Sequence, residues 1–78
     1  MRVMQVKRVS PNELYTKRGL EREMNISVRS INKYVIDENI ENKSIQVSNY
    51  KVYKGSDINK KIDELILTEK FVLKKWAI

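Results

Sequence analysis

Between Lys17 and Tyr34 the apolar residues follow a spacing that strongly limits how the chain can fold. Counted from Lys17, Leu20 is fourth, Met24 eighth, Ile26 tenth, Ile31 fifteenth and Tyr34 eighteenth, with Asn25 at the ninth place. Leu20 and Met24 lie four apart, so on a helix they share one face. Asn25 tolerates the left-handed backbone that ends a helix. Ser27 is a good N-cap for a second helix over about Val28 to Asp37, on which Ile31, Tyr34 and Val35 share a face. Two helices crossing steeply through so tight a turn pack Leu20 and Met24 against Ile31 and Tyr34, with Ile26 in the corner. That is the pattern of a helix-turn-helix. It holds one face of the second helix inward and turns Ser27, Val28, Arg29, Asn32 and Lys33 outward.

The flanking segments fit around this unit. Val3, Met4, Val6 and Val9 follow neither a period of two nor one of 3.6, so residues 1–13 read as a short strand or an arm. In that segment Lys7 and Arg8 form either a basic arm or a solvated tail. Ser10-Pro11-Asn12-Glu13 has the form of a capping box, but Thr16 is itself a good N-cap. The expectation is a single turn at Pro11 to Leu14 and a first helix from Lys17 to Met24. Asn39 reads as a second left-handed C-cap, followed by Ile40. From Ser44 to Lys54 the period shifts to two: Ile45 and Val47 alternate with polar residues, Ser48-Asn49 makes a tight turn, and Tyr50 to Tyr53 returns. Either Tyr50 and Val52 or Lys51 and Tyr53 face the core. Gly55-Ser56-Asp57 closes the hairpin and caps a last helix starting near Ile58, with Ile58, Ile62, Leu65 and Ile66 on one side. Beyond Leu67, either Thr68 caps a separate short helix or one helix runs on to Trp76.

The expected fold is a single, mainly α domain with a small β-hairpin, a winged helix-turn-helix. Residues 14–66 form the domain, 1–13 precede it, and 67–78 are a helical extension. The chain has 78 residues, too few for more than one ordinary core.

Composition narrows the function. Sixteen Lys and Arg face ten Asp and Glu, for a net charge of +6, which favours a polyanionic partner. There is no cysteine and no histidine. The usual general base, the usual metal ligands and the thiol nucleophile are all missing, and no glycine-rich phosphate loop is present. Asp37-Glu38 and Asp63-Glu64 are neighbours in sequence and do not face one another on a helix. The expectation is a protein that is not an enzyme and needs no cofactor or metal. No stretch approaches the ~18 apolar residues of a membrane span, and no signal-peptide run precedes Pro11. A cytoplasmic place, in a bacterial or phage-infected cell, is expected.

The outward face of the second helix suits the major groove of DNA. Arg29 can fork onto guanine O6 and N7, Asn32 onto adenine N6 and N7, and Val28 can touch a thymine methyl. Ser27 and the backbone amides at the helix start can hold a phosphate. Tyr50, Lys51, Tyr53 and Lys54 interleave cations with aromatics, which serves either phosphate binding and base stacking or the defence of an exposed sheet edge.

Over roughly Leu14 to Leu65 the chain resembles the excisionase and MerR-like winged-helix family. The resemblance is carried by LYTKRGLEREMNISVRSINKYV, then IDENI, then SIQVSNYKVYKGSDI. It implies that Val28, Arg29, Asn32 and Lys33 lie on a recognition helix, and that Tyr50, Lys51 and Lys54 lie on a wing touching backbone or minor groove. Glu21 stands where the family has Ala. Asn25 and Asn39 stand where it has Gly, and the hairpin tip Ser48-Asn49 lacks glycine and charge. The function implied is that of a small architectural factor or regulator of a mobile element, binding double-stranded DNA in preference to single-stranded.

The C-terminal segment is a separate signal. Leu67, Phe71, Val72, Leu73 and Trp76 exceed what so small a core needs. They form either a surface for a protein partner or a second copy, or a segment folded back on Val3, Met4 and Val6. With the first, the protein is an accessory subunit that docks on a larger replication or recombination enzyme and helps hold DNA, single-stranded DNA included.

Overall fold

The computed structural model describes residues 4–73. It is a small mixed α/β domain. In chain order it contains β1 (Met4–Val6), β2 (Leu14–Tyr15), α1 (Lys17–Met24), α2 (Val28–Ser30) continued by a π-helical turn (Ile31–Val35), α3 (Glu38–Asn42), β3 (Ile45–Val47), β4 (Tyr50–Lys54), α4 (Gly55–Leu67) and β5 (Phe71–Leu73).

Local chemistry sets most of these boundaries. The Thr16 hydroxyl accepts from the Gly19 N–H at 3.1 Å and starts α1. Asn25, at φ 62°, ends it, and its N–H donates to the Glu21 carbonyl at 3.0 Å. Ser27 starts the second helix by accepting from the Ser30 N–H at 3.2 Å. That helix stops at Val35, earlier than the expected Asp37. The Ile36 N–H reaches back to the Ile31 carbonyl at 2.9 Å, which closes the wide turn and brings Ile36 into extended backbone.

Asn39 does not cap a helix end. It lies inside α3, which Asp37 starts by accepting from the Ile40 N–H at 2.9 Å. Asp37 outweighs Asn39 because a carboxylate at a helix start satisfies an orphan amide and meets the favourable end of the dipole. The helix α4 also begins earlier than expected, at Gly55, so Ser56 and Asp57 lie in its first turn.

The larger sheet is antiparallel in the order β2-β4-β3, with Tyr15 opposite Tyr53, Ile45 opposite Val52 and Val47 opposite Tyr50. Ser48, at φ 53°, makes the two-residue turn. Neither alternating pair of β4 faces the core as a whole. Tyr53 joins the main core, and its neighbour Val52 is buried apart from it.

The C-terminal helix expected beyond Leu67 is absent as far as Leu73. Thr68 ends α4 instead of starting a new helix. Glu69 takes the left-handed conformation at φ 63°, its N–H donates to Ile66, and the Lys70 N–H donates to Leu65 at 2.9 Å. This pair of bonds is a Schellman closure. The chain then turns back as β5, parallel to β1 with Met4 opposite Phe71 and Val6 opposite Leu73. Over Phe71–Leu73 the chain therefore folds back beside β1. Trp76 lies outside the described residues.

Fully enclosed Leu20, Met24, Ile31, Val35, Ile58 and Ile62 form the centre of the core, with Val6 and Phe71 closing one end. Each such side chain contributes about 1.5–3 kcal/mol of burial. Lys7 and Arg8 belong to a segment that is neither arm nor tail. Arg8 pairs with Asp63, and the Asn59 amide grips the Val9 backbone in both directions, accepting at 2.9 Å and donating at 2.7 Å. Among the described residues no helix is long and apolar enough to cross a membrane.

Candidate nucleic-acid interface

The second helix carries the residues that the sequence singles out. Ile31 and Val35, four apart, are fully buried, and this fixes the roll of the helix. Arg29, Asn32 and Lys33 are exposed, and Val28 is half-buried. The Lys33 ammonium lies 5.3 Å from the centre of the Tyr34 ring. That ring is half-buried and meets Phe71 edge to face at 5.9 Å and 72°. The same element therefore supplies core on one side and a row of polar groups on the other.

The start of this helix differs from the expectation. The Ser27 hydroxyl is committed to Ser30, and the Glu21 carboxylate accepts the Val28 N–H at 3.0 Å. An incoming phosphate would meet an anion already seated there. This explains the acidic residue at Glu21 and removes the helix start from the contacts expected of Ser27.

The hairpin divides its cations. Lys51 turns back onto α3, where it pairs with Glu41 at 2.7 Å. The Tyr53 hydroxyl donates to the other oxygen of the same carboxylate at 3.1 Å. The Lys51 bond, with help from Tyr53, holds the Glu41 carboxyl below its ordinary range. Tyr50 is 57% exposed near the hairpin tip, and Lys54 is exposed at the other end of β4, about 13 Å along the strand. Tyr53, 2% exposed, belongs to the core.

Burial, and then the bond to Glu41, push the Tyr53 phenol up to about 12 from 10.0. A phenol that ionises later in the folded state stabilises fully below pH 10, and that stability drains as pH rises from 10 towards 12. Urea unfolding at pH 9 and pH 11.5 should show wild type losing about 2 kcal/mol more than Tyr53→Phe over that window. Equal losses would mean that the phenol is not the titrating group.

Of the C-terminal residues expected at a partner surface, Phe71 is only 2% exposed and serves the core. Leu67 is 83% exposed and Val72 is 39% exposed.

Residues that the sequence pattern did not single out also gather near the hairpin. Lys17 and Arg18 open α1, Gln46 and Asn49 sit on the hairpin, and together with Thr16, Glu41, Tyr50, Lys51 and Tyr53 they line an open groove of about 620 Å³. The first turn of α1 contains no acidic residue. Cations at a helix start oppose its dipole, so Lys17 and Arg18 do not serve the helix there. A Lys-Arg pair directly after an N-cap is the sequence signal that could have flagged them.

Compared with known proteins, the chain matches no protein-family model, no curated protein and no solved structure.

Proposed function

We propose that the chain is a non-catalytic winged helix-turn-helix protein that binds double-stranded DNA, an architectural factor or regulator of the excisionase kind from a mobile element. One observation carries this reading: buried Ile31 and Val35 hold Arg29, Asn32 and Lys33 outward on one short, firmly rolled helix. These residue types match base edges in a major groove. The net charge of +6 adds attraction for the backbone. Tyr50 and Lys54 extend the contact from the hairpin, with Lys51 reaching DNA only by leaving Glu41. The alternative of an accessory subunit docking through its C-terminal segment keeps Leu67 and Val72 as exposed apolar residues, but Phe71 is spent in the core.

The test is fluorescence anisotropy on labelled duplexes across a salt series. Arg29→Ala is expected to weaken a preferred site by roughly tenfold or more, and random duplex much less, because the alanine cannot form the bidentate bond to a base. Equal losses on both duplexes would reduce Arg29 to a backbone contact and remove the groove-reading assignment.

A further inference from the structure

The outer strand of the hairpin, β3, is a sheet edge whose two sides differ in chemistry. Among the described residues it pairs with β4 alone. The two-residue turn makes Val47 and Tyr50 a hydrogen-bonded pair, and such pairs alternate with non-bonded ones along an antiparallel ladder. Gln46, opposite Lys51, therefore points its N–H and C=O away from β4, and neither has a partner among the described residues. All three residues of β3 are exposed. Sheet edges are commonly defended by lysine, proline or a bulge. The sequence Ile45-Gln46-Val47 has neither residue and pairs without a bulge. Alternation puts Ile45 and Val47 on one face with Tyr50, Val52 and, across the sheet, Leu14. Val52 is buried there apart from the main core, and the other four are 38–57% exposed. Gln46 and Lys51 lie on the opposite face, where they line the groove with Lys17 and Arg18. Lys51 is paired with Glu41, whereas Lys17 and Arg18 form no ion pair among the described residues, so this side is positive.

We propose that the free edge of β3 takes up an extended segment of a partner protein as a fourth strand, one in which acidic and apolar residues alternate. The partner residue set opposite Gln46 exchanges hydrogen bonds with its N–H and C=O and points to the groove side. A carboxylate there answers the charge of Lys17 and Arg18. Its two neighbours point to the other face, beside Ile45 and Val47, and extend the apolar patch. Backbone bonds supply affinity in such strand addition, and the alternate side chains supply selectivity. A second copy fits less well. Bringing β3 antiparallel against β3 sets Gln46 opposite Gln46, which offers the groove no anion, and each copy carries +6. The surface lies on the hairpin edge, and the inference does not rest on DNA binding by the second helix.

The full chain is titrated with a capped synthetic peptide of about seven residues, alternating valine and glutamate, and followed by NMR. The Gln46 amide resonance is expected to shift, and its hydrogen exchange to slow roughly tenfold or more at saturating peptide. A matching peptide with lysine in place of glutamate should bind roughly tenfold more weakly at low salt, and added salt should shrink the difference. The double replacement Lys17→Ala with Arg18→Ala should bring the two affinities closer. Gln46→Pro is tolerated on an edge whose N–H faces outward. It should weaken the glutamate peptide roughly tenfold, because a peptide carbonyl loses its donor. The proposal is overturned if the Gln46 amide of the wild type neither shifts nor slows, a result that stands whether or not Gln46→Pro folds. It is equally overturned if the two peptides bind alike at low salt. A wild-type dimer, formed without peptide and abolished by Gln46→Pro, would also overturn it by giving the edge to a second copy.

Discussion

Gly55→Ala is expected to lower the melting temperature by roughly 12 °C or more, one of the two largest stability losses foreseen for a single substitution in this chain. A Cβ at Gly55 would sit 1.8 Å from the Ser10 carbonyl oxygen, 2.8 Å from its carbon and 3.2 Å from the Pro11 Cα. All three atoms are backbone, so no rotamer change relieves the clash. The segment cannot simply back away, because the Gly55 N–H donates to the Glu13 carbonyl at 2.8 Å and Leu14 pairs with Lys54. Forcing in one methyl costs about 3 kcal/mol where the surroundings are this rigid. A chain of 78 residues has only about 4–12 kcal/mol of stability to lose. Gly19 is the internal control. A Cβ there would meet Thr16 at 3.5 Å and Tyr15 at 3.6 Å, which is ordinary contact, and alanine is the better helix former. Thermal melts followed by circular dichroism should therefore show Gly55→Ala far below wild type and Gly19→Ala at or slightly above it. A Gly55→Ala melt within a few degrees of wild type would mean that the Ser10–Pro11 turn is free to move.

The role of Gly55 marks where reading from sequence runs out. As a turn-closing glycine before a helix it was visible, but its φ is not positive. The reason for glycine is the approach of a chain segment more than forty residues away, which no local pattern encodes. Where the cause is local, the sequence was legible. Thr16, Asn25 and Ser27 act on amides or carbonyls within four residues, and the Ser48-Asn49 turn lies between strands that alternate. Asp37 against Asn39 was a contest between two local signals, and the charged cap prevailed. The π turn at Ile31–Val35 and the strand at Phe71 depend on tertiary packing. The run Phe71-Val72-Leu73 suits a strand as well as a helix, and only β1 decides between them.

The candidate interface divides in the same way. The outward position of Arg29, Asn32 and Lys33 follows from the period of the buried residues, which the sequence displays. The withdrawal of Lys51 onto Glu41, and the seating of Glu21 against the Val28 N–H, are contacts between elements. Both are acid–base or acid–amide pairings separated by seven to ten residues. Composition counts such residues as free charge, whereas the fold spends them internally. Lys51 is thus tied to Glu41, while Arg29, Lys33 and Lys54 stay exposed.

Phe71→Ala is the second large effect, and it bears on function through structure. Truncating so deeply buried a phenylalanine costs about 3–5 kcal/mol, enough to lower the melting temperature by roughly 12 °C or more. The ring removed is 2% exposed, lies edge to face with Tyr34 at 5.9 Å, and belongs to the strand that pairs with β1. Tyr34 sits on the π turn that continues the helix bearing Arg29, so removing Phe71 also loosens the brace behind the proposed base-reading face. The expected result is a protein that still binds duplex DNA when held well below its lowered transition, with weakened affinity as that transition is approached. Phe71→Leu, which keeps most of the volume, should fall between the two. A docking role for Phe71 makes the opposite forecast, in which stability is unchanged and the protein no longer binds its partner. Melting curves of the three proteins distinguish the cases, because a residue that anchors a partner leaves the isolated fold intact and a residue that closes the core does not.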